Sequence, residues 1–149
     1  MFSNTPMPVI PDPDWVLGAS QEYWVTLIFG ILAVLTLLKA VFDASKIRSW
    51  FPIALFVGGG LAVLYEPIND ILGHCFYSED GMTYVWITSM GRRIPTYIGF
   101  CFFFYYYARI WMCMKMLEQG VSTGKWMRTY FVTVVVAQAF EYITISLGI

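Results

Sequence analysis

The chain has 149 residues, enough for one compact domain, with 58% hydrophobic and 13% charged residues and a formal net charge of −1. Typical soluble domains are about 45–50% apolar and roughly 25% charged. So few charges cannot clothe a water-facing surface of this size, and lipid is the expected solvent. The near-zero charge offers no footprint for a nucleic-acid partner, and Cys75, Cys101 and Cys113 form no metal-binding spacing.

Residues 1–22 open the chain with several prolines, Asp12 and Asp14, but no Lys or Arg. A secretory signal has a basic start, so this stretch reads as an extended, proline-stiffened tail kept at the mature N-terminus. Residues 23–149 read as an all-α bundle of four transmembrane helices. The spans are expected at about 23–42, 50–77, 94–116 and 127–149. Each is long enough at about 1.5 Å per residue to cross a bilayer, and inside lipid the backbone must satisfy its hydrogen bonds internally.

Basic residues give the orientation. Lys39, Lys46 and Arg48 cluster around the first connection, and Lys115, Lys125 and Arg128 around the third. The tail has none, and the middle connection has only Arg92 and Arg93. The positive-inside rule then puts both termini on the non-cytoplasmic side of a plasma or inner membrane. Trp15, Trp24 and Trp86 would mark the outer boundary, and Trp50, Trp111 and Trp126 the inner one. In the middle connection, Tyr84 to Ile87 is expected as a short re-entrant or surface segment, with Gly91 and Pro95 marking the restart of a helix. No polar residues follow the last span, which suggests a fragment of a longer protein or a last helix packed on a partner.

The second span is interrupted by YEPINDILGHC, residues 65–75. On a helix, Glu66, Asp70 and His74 follow an i, i+4, i+8 spacing and share one side. Pro67 deletes a backbone hydrogen bond and the Gly58-Gly59-Gly60 run weakens the turns before it, so a bend is expected here. An ionised acid in the lipid interior costs on the order of 2.5–3.5 kcal/mol, so these groups must face inward, pair or stay protonated. Arg109 is the counter-charge within the third span, on a face with Phe102, Tyr105, Tyr106 and Cys113. Glu141, at mid-depth in the fourth, is a nearer match in depth to Arg109 than Glu66 is. The plain structural alternative is that Arg109–Glu141 is a packing device, Asp70 and His74 a wet helix end, and the tyrosines interfacial aromatics.

A carboxyl held away from water can keep its proton and act as a general acid. Glu66 as donor, Asp70 as its partner and Glu141 as a base would suit acid-initiated chemistry on a lipophilic, isoprenoid or sterol-like molecule. Phe102, Tyr105, Tyr106 and Trp86 would form apolar walls that stabilise a carbocation, with His74 and Arg109 at the edge of the pocket. The alternatives are a non-catalytic subunit of a larger membrane complex and a proton or cation pathway along the buried acids. One histidine and no Glu-x-x-His pair leave the di-iron pattern unmet, so no metal or cofactor is expected. The expected surroundings are a lipid bilayer, a lipophilic small molecule and other membrane subunits.

YEPINDILGHCFY followed by SMGRRIPTYIGF resembles an EP…D…G stretch and a GR-x-IP segment of uncharacterised bacterial polytopic integral membrane proteins. The resemblance covers roughly the middle third of the chain. It implies a polytopic membrane fold and carries no assigned activity.

Overall fold

The computed structural model describes residues 18–73, 77 and 80–146. The chain is mainly α-helical: α1 (Ala19–Ile47), α2 (Phe51–Leu61), a 3-10 turn (Ala62–Tyr65), α3 (Glu66–Gly73), β1 (Val85–Ser89), β2 (Arg92–Pro95), α4 (Thr96–Glu118) and α5 (Thr123–Ser146). The N-terminal tail up to residue 17, His74 and Cys75 lie outside the described residues.

An apolar run without proline makes α1 a single 29-residue helix. Lys46 in its last turn complements the helix dipole, and Arg48 closes it in a left-handed conformation (φ 53°). Pro52 then starts α2, where its missing N–H costs nothing.

Pro67 explains the break that follows. In an unbroken helix the amide of residue 67 would bond to the carbonyl of Val63, and proline has no amide to give. The Val63 carbonyl takes the Glu66 N–H instead, which tightens the chain into the 3-10 turn. Beyond it, Pro67 and Asp70 are buried while Ile68, Asn69 and Leu72 face out. The acids therefore lie on the inward side of α3.

The middle connection is an antiparallel hairpin rather than a re-entrant segment, with Ile87 opposite Ile94, Thr88 opposite Arg93 and Ser89 opposite Arg92. Gly91 does not restart a helix: Met90 (φ 52°) and Gly91 (φ 73°) form the hairpin turn, and α4 begins only at Thr96 after Pro95. Two consecutive positive φ angles suit the twist of a tight hairpin. Met is a poor choice there, since its Cβ crowds the backbone in a left-handed conformation. Because Met90 is exposed, Met90→Asn should stabilise the protein by about 1 kcal/mol. Thermal unfolding in detergent checks this, and a lowered midpoint would contradict it.

The register slips between Val85 and Ile87. The extra residue, Trp86, turns onto α4, 5.5 Å from the Phe100 ring and 6.1 Å from the Phe103 ring. Gly99 leaves room for it, since a Cβ there would come within 2.4 Å of the indole.

Helices α1, α2 and α4 pack against one another. Towards the start of α1, Val25 and Phe29 meet Tyr97, with Phe104 edge-on to Phe29 at 5.4 Å. At the other end Ala40, Phe56 and Tyr107 form a second cluster backed by Trp111. Two helices, Ala19–Ile47 and Phe51–Leu72, are long and apolar enough to cross a membrane. Their outer faces carry exposed Leu35, Leu38, Phe42, Val57, Leu61 and Leu64. Patches of that kind are uncommon on water-soluble monomers. Among the described residues α5 packs only sparsely on the other elements.

Candidate functional site

The break in the second helix positions the acids. Glu66 is half-buried and accepts a hydrogen bond from the Tyr77 hydroxyl, which lies beyond the end of α3. One turn on, Asp70 is 4% exposed. Its charged neighbours are Glu66 and, more weakly, Arg92, itself 5% exposed, at the start of β2 where the hairpin meets α3. Sequence reasoning treated Arg92 as part of a loop and looked to Arg109 for the counter-charge. The hairpin register supplies what the sequence did not show.

Facing Glu66 is one side of α4. Glu66 lies close enough to Cys101 and Tyr106 to interact with them electrostatically. Phe102 and Tyr106 rings lie 5.1 Å apart, and Tyr105 meets Tyr106 edge-on at 5.5 Å. Arg109 ends this aromatic ladder: its Nη1 donates to the Tyr105 hydroxyl, and its guanidinium lies 5.3 Å from the Tyr105 ring and 5.5 Å from the Tyr130 ring of α5. Sequence reasoning paired Arg109 with Glu141. Glu141 belongs to α5, but its side chain is outside the described residues, as is all of His74. Trp86 does not join this wall. It sits with Phe100 and Phe103, on a different side of α4 from Phe102, Tyr105 and Tyr106.

Two further acids went unnoticed in the sequence. Glu22, fully buried in the first turn of α1, accepts hydrogen bonds from the backbone N–H groups of Thr83 and Tyr84, both at 2.8 Å. Asp43, 8% exposed, accepts from Lys39 Nζ at 2.7 Å and from the Tyr107 hydroxyl at 3.0 Å. The i, i+4 spacing of Lys39 and Asp43 was visible; the reach to Tyr107 was not.

Chemically, the site offers a carboxyl with a fixed hydroxyl donor and an aromatic neighbour on α4, and a second acid one turn on with a cation near it. Among the described residues no three His, Cys, Asp or Glu side chains come together to hold a metal ion. Comparison with known protein families, with curated proteins and with solved structures found no match.

Proposed function

We propose that the chain is a polytopic integral membrane protein of a plasma or inner membrane that carries out acid-initiated chemistry on a lipophilic, isoprenoid or sterol-like substrate. Its four spans would be α1, the α2–α3 unit, α4 and α5, with both termini on the non-cytoplasmic side. The two long apolar helices, their outward apolar faces and the basic residues at the first and third connections support this arrangement. The resemblance of residues 65–77 and 89–100 to bacterial polytopic proteins points the same way.

One observation carries the reading: two carboxyls lie on the inward side of α3, at a break in the helix, and the first of them, Glu66, lies near Cys101 and Tyr106 of α4. Glu66 would give its proton to one carbon of a substrate double bond, whose π electrons form the new C–H bond. The positive charge left on the other carbon is stabilised by the ring faces of Tyr106 and Phe102. Asp70 then takes a proton from an adjacent carbon, and that C–H pair re-forms a double bond. The sum is a double-bond isomerisation with no change of oxidation state, and passage of the proton from Asp70 back to Glu66 resets the site. Tyr77 would orient Glu66, and Arg92 would balance the negative charge as the proton moves between the two acids.

Glu66→Gln and Asp70→Asn should each lower turnover of an isoprenoid or sterol-like panel in proteoliposomes by about 10²–10⁴-fold. Turnover unchanged in both variants would refute the chemistry. A second reading, a non-catalytic subunit of a larger membrane complex, is favoured by the sparse packing of α5 among the described residues. It requires co-purification of a partner at fixed stoichiometry, and a stable monodisperse chain would count against it.

A further inference from the structure

The aromatic ladder on α4 ends in a cation with no matching acid. Arg109 donates through Nη1 to the Tyr105 hydroxyl, and its guanidinium lies 5.3 Å from the Tyr105 ring and 5.5 Å from the Tyr130 ring. Ring faces attract a cation but bring no countercharge. Among the described residues the ion pairs are Lys39–Asp43 and Lys115–Glu118, and neither includes Arg109. Asp43 bonds to Tyr107, which is two residues from Arg109 and so on nearly the opposite side of α4. Glu141 is no better placed. The contact with Tyr130 sets which turn of α5 stands beside Arg109, and Glu141 lies three turns further along that helix, roughly 16 Å away. That is too far for a glutamate side chain to reach back.

The rest of the guanidinium is within reach of a ligand. Arg109 is half-buried, a single side-chain hydrogen bond uses one of its five N–H donors, and none of its nitrogens is sealed in the interior without a bond. A cation inside a membrane span is expected to meet an anion, and a guanidinium edge matches the paired oxygens of a phosphate or carboxylate. The path from this cation to the acids is continuous. Arg109, Tyr105, Tyr106, Phe102 and Cys101 follow one another on one side of α4, and Glu66 lies near Tyr106 and Cys101. From Arg109 to Cys101 is about 12 Å of helix.

We infer that the site takes an amphiphile whose anionic end, a phosphate or carboxylate, is held by Arg109 while its apolar body runs along Tyr105, Tyr106 and Phe102 to Glu66. The inference rests on the lipophilic-substrate reading above and narrows it, placing the reacting double bond within about 12 Å of the charged end. The test is equilibrium binding of farnesyl phosphate, farnesoic acid and farnesol to the full chain in phosphatidylcholine nanodiscs. The phosphate and the acid should bind at least about tenfold more tightly than the alcohol. Arg109→Gln should remove that advantage and leave farnesol binding unchanged, which also shows that the variant is folded. Arg109→Lys keeps the charge without the fork and should retain part of the advantage. Equal affinities for the three probes, or an advantage that survives Arg109→Gln, would overturn the inference. So would equal displacement of farnesyl phosphate by phosphatidic acid added to the discs, which would assign Arg109 to a lipid headgroup. Turnover in the parent and its loss in Glu66→Gln, without any anion preference, would leave the chemistry standing and the anionic end refuted. Anion-selective binding with turnover indifferent to Glu66→Gln would do the reverse. Absence of saturable binding by all three probes would overturn the lipophilic-substrate reading, and the anionic end with it.

Discussion

Glu22→Ala is expected to lower the thermal midpoint on the order of 10 °C. The carboxylate is fully buried, and both oxygens are used, one on the amide of Thr83 and one on that of Tyr84. Removing it strands two backbone donors at about 1–3 kcal/mol each. The damage should start locally, because those amides lead directly into β1 and hence to Trp86 against α4. Glu22→Gln retains one acceptor oxygen and should fall between the parent and the alanine variant. The measurement is unfolding in detergent, followed by tryptophan fluorescence and by protease cleavage within residues 83–95. An alanine variant as stable as the parent, with the hairpin still protected, would show that this anchor carries no weight.

The three consecutive glycines of α2 should respond with opposite signs. A Cβ on Gly58 meets nothing within 4 Å, so Gly58→Ala should stabilise the helix by roughly 0.5–1 kcal/mol through lower backbone entropy. A Cβ on Gly60 would come within 2.1 Å of the Phe103 ring. That ring is held by Phe56 at 4.8 Å and Trp86 at 6.1 Å, so it has little room to yield. Gly60→Ala should therefore cost about 1–3 kcal/mol as an overpacked contact. Gly59 touches α4 more lightly, with a built Cβ 3.1 Å from the Tyr106 Cβ, and should fall between the two. Thermal midpoints of the three alanine variants test the ordering. Equal shifts would mean that α2 and α4 are not in close contact along this face.

Much of the helical framework was legible because it depends on short-range pattern. Long apolar runs, Pro52 and Pro67 as punctuation, and the i, i+4 spacing of Glu66 and Asp70 are all local signals. They lead to a mainly helical chain with a break before Pro67. The hairpin was harder to see. Its strands have five and four residues, too few to establish alternation, and a methionine fills a turn position that Asn or Asp normally announces. The partners of the buried acids were hidden for a different reason. Glu22 with Thr83 and Tyr84, Asp43 with Tyr107, and Asp70 with Arg92 are tertiary pairings, and no spacing rule links residues so far apart in the chain. Trp86 shows the same limit: the bulge, not the composition, decides which side of α4 it covers.

Glu22 and Asp43 are 21 residues apart on one continuous helix, which amounts to about 31 Å. One holds α1 to the hairpin that leads into α4, and the other holds α1 to α4 directly through Tyr107. Fastened at both ends, the pair cannot shorten or lengthen by sliding, and in the proposed membrane placement this fixed length matches an average hydrocarbon core of about 30 Å. In thinner or thicker bilayers such a protein would respond by tilting as a body or by deforming the surrounding lipid. Its behaviour should consequently depend on the chain length of the lipids that host it.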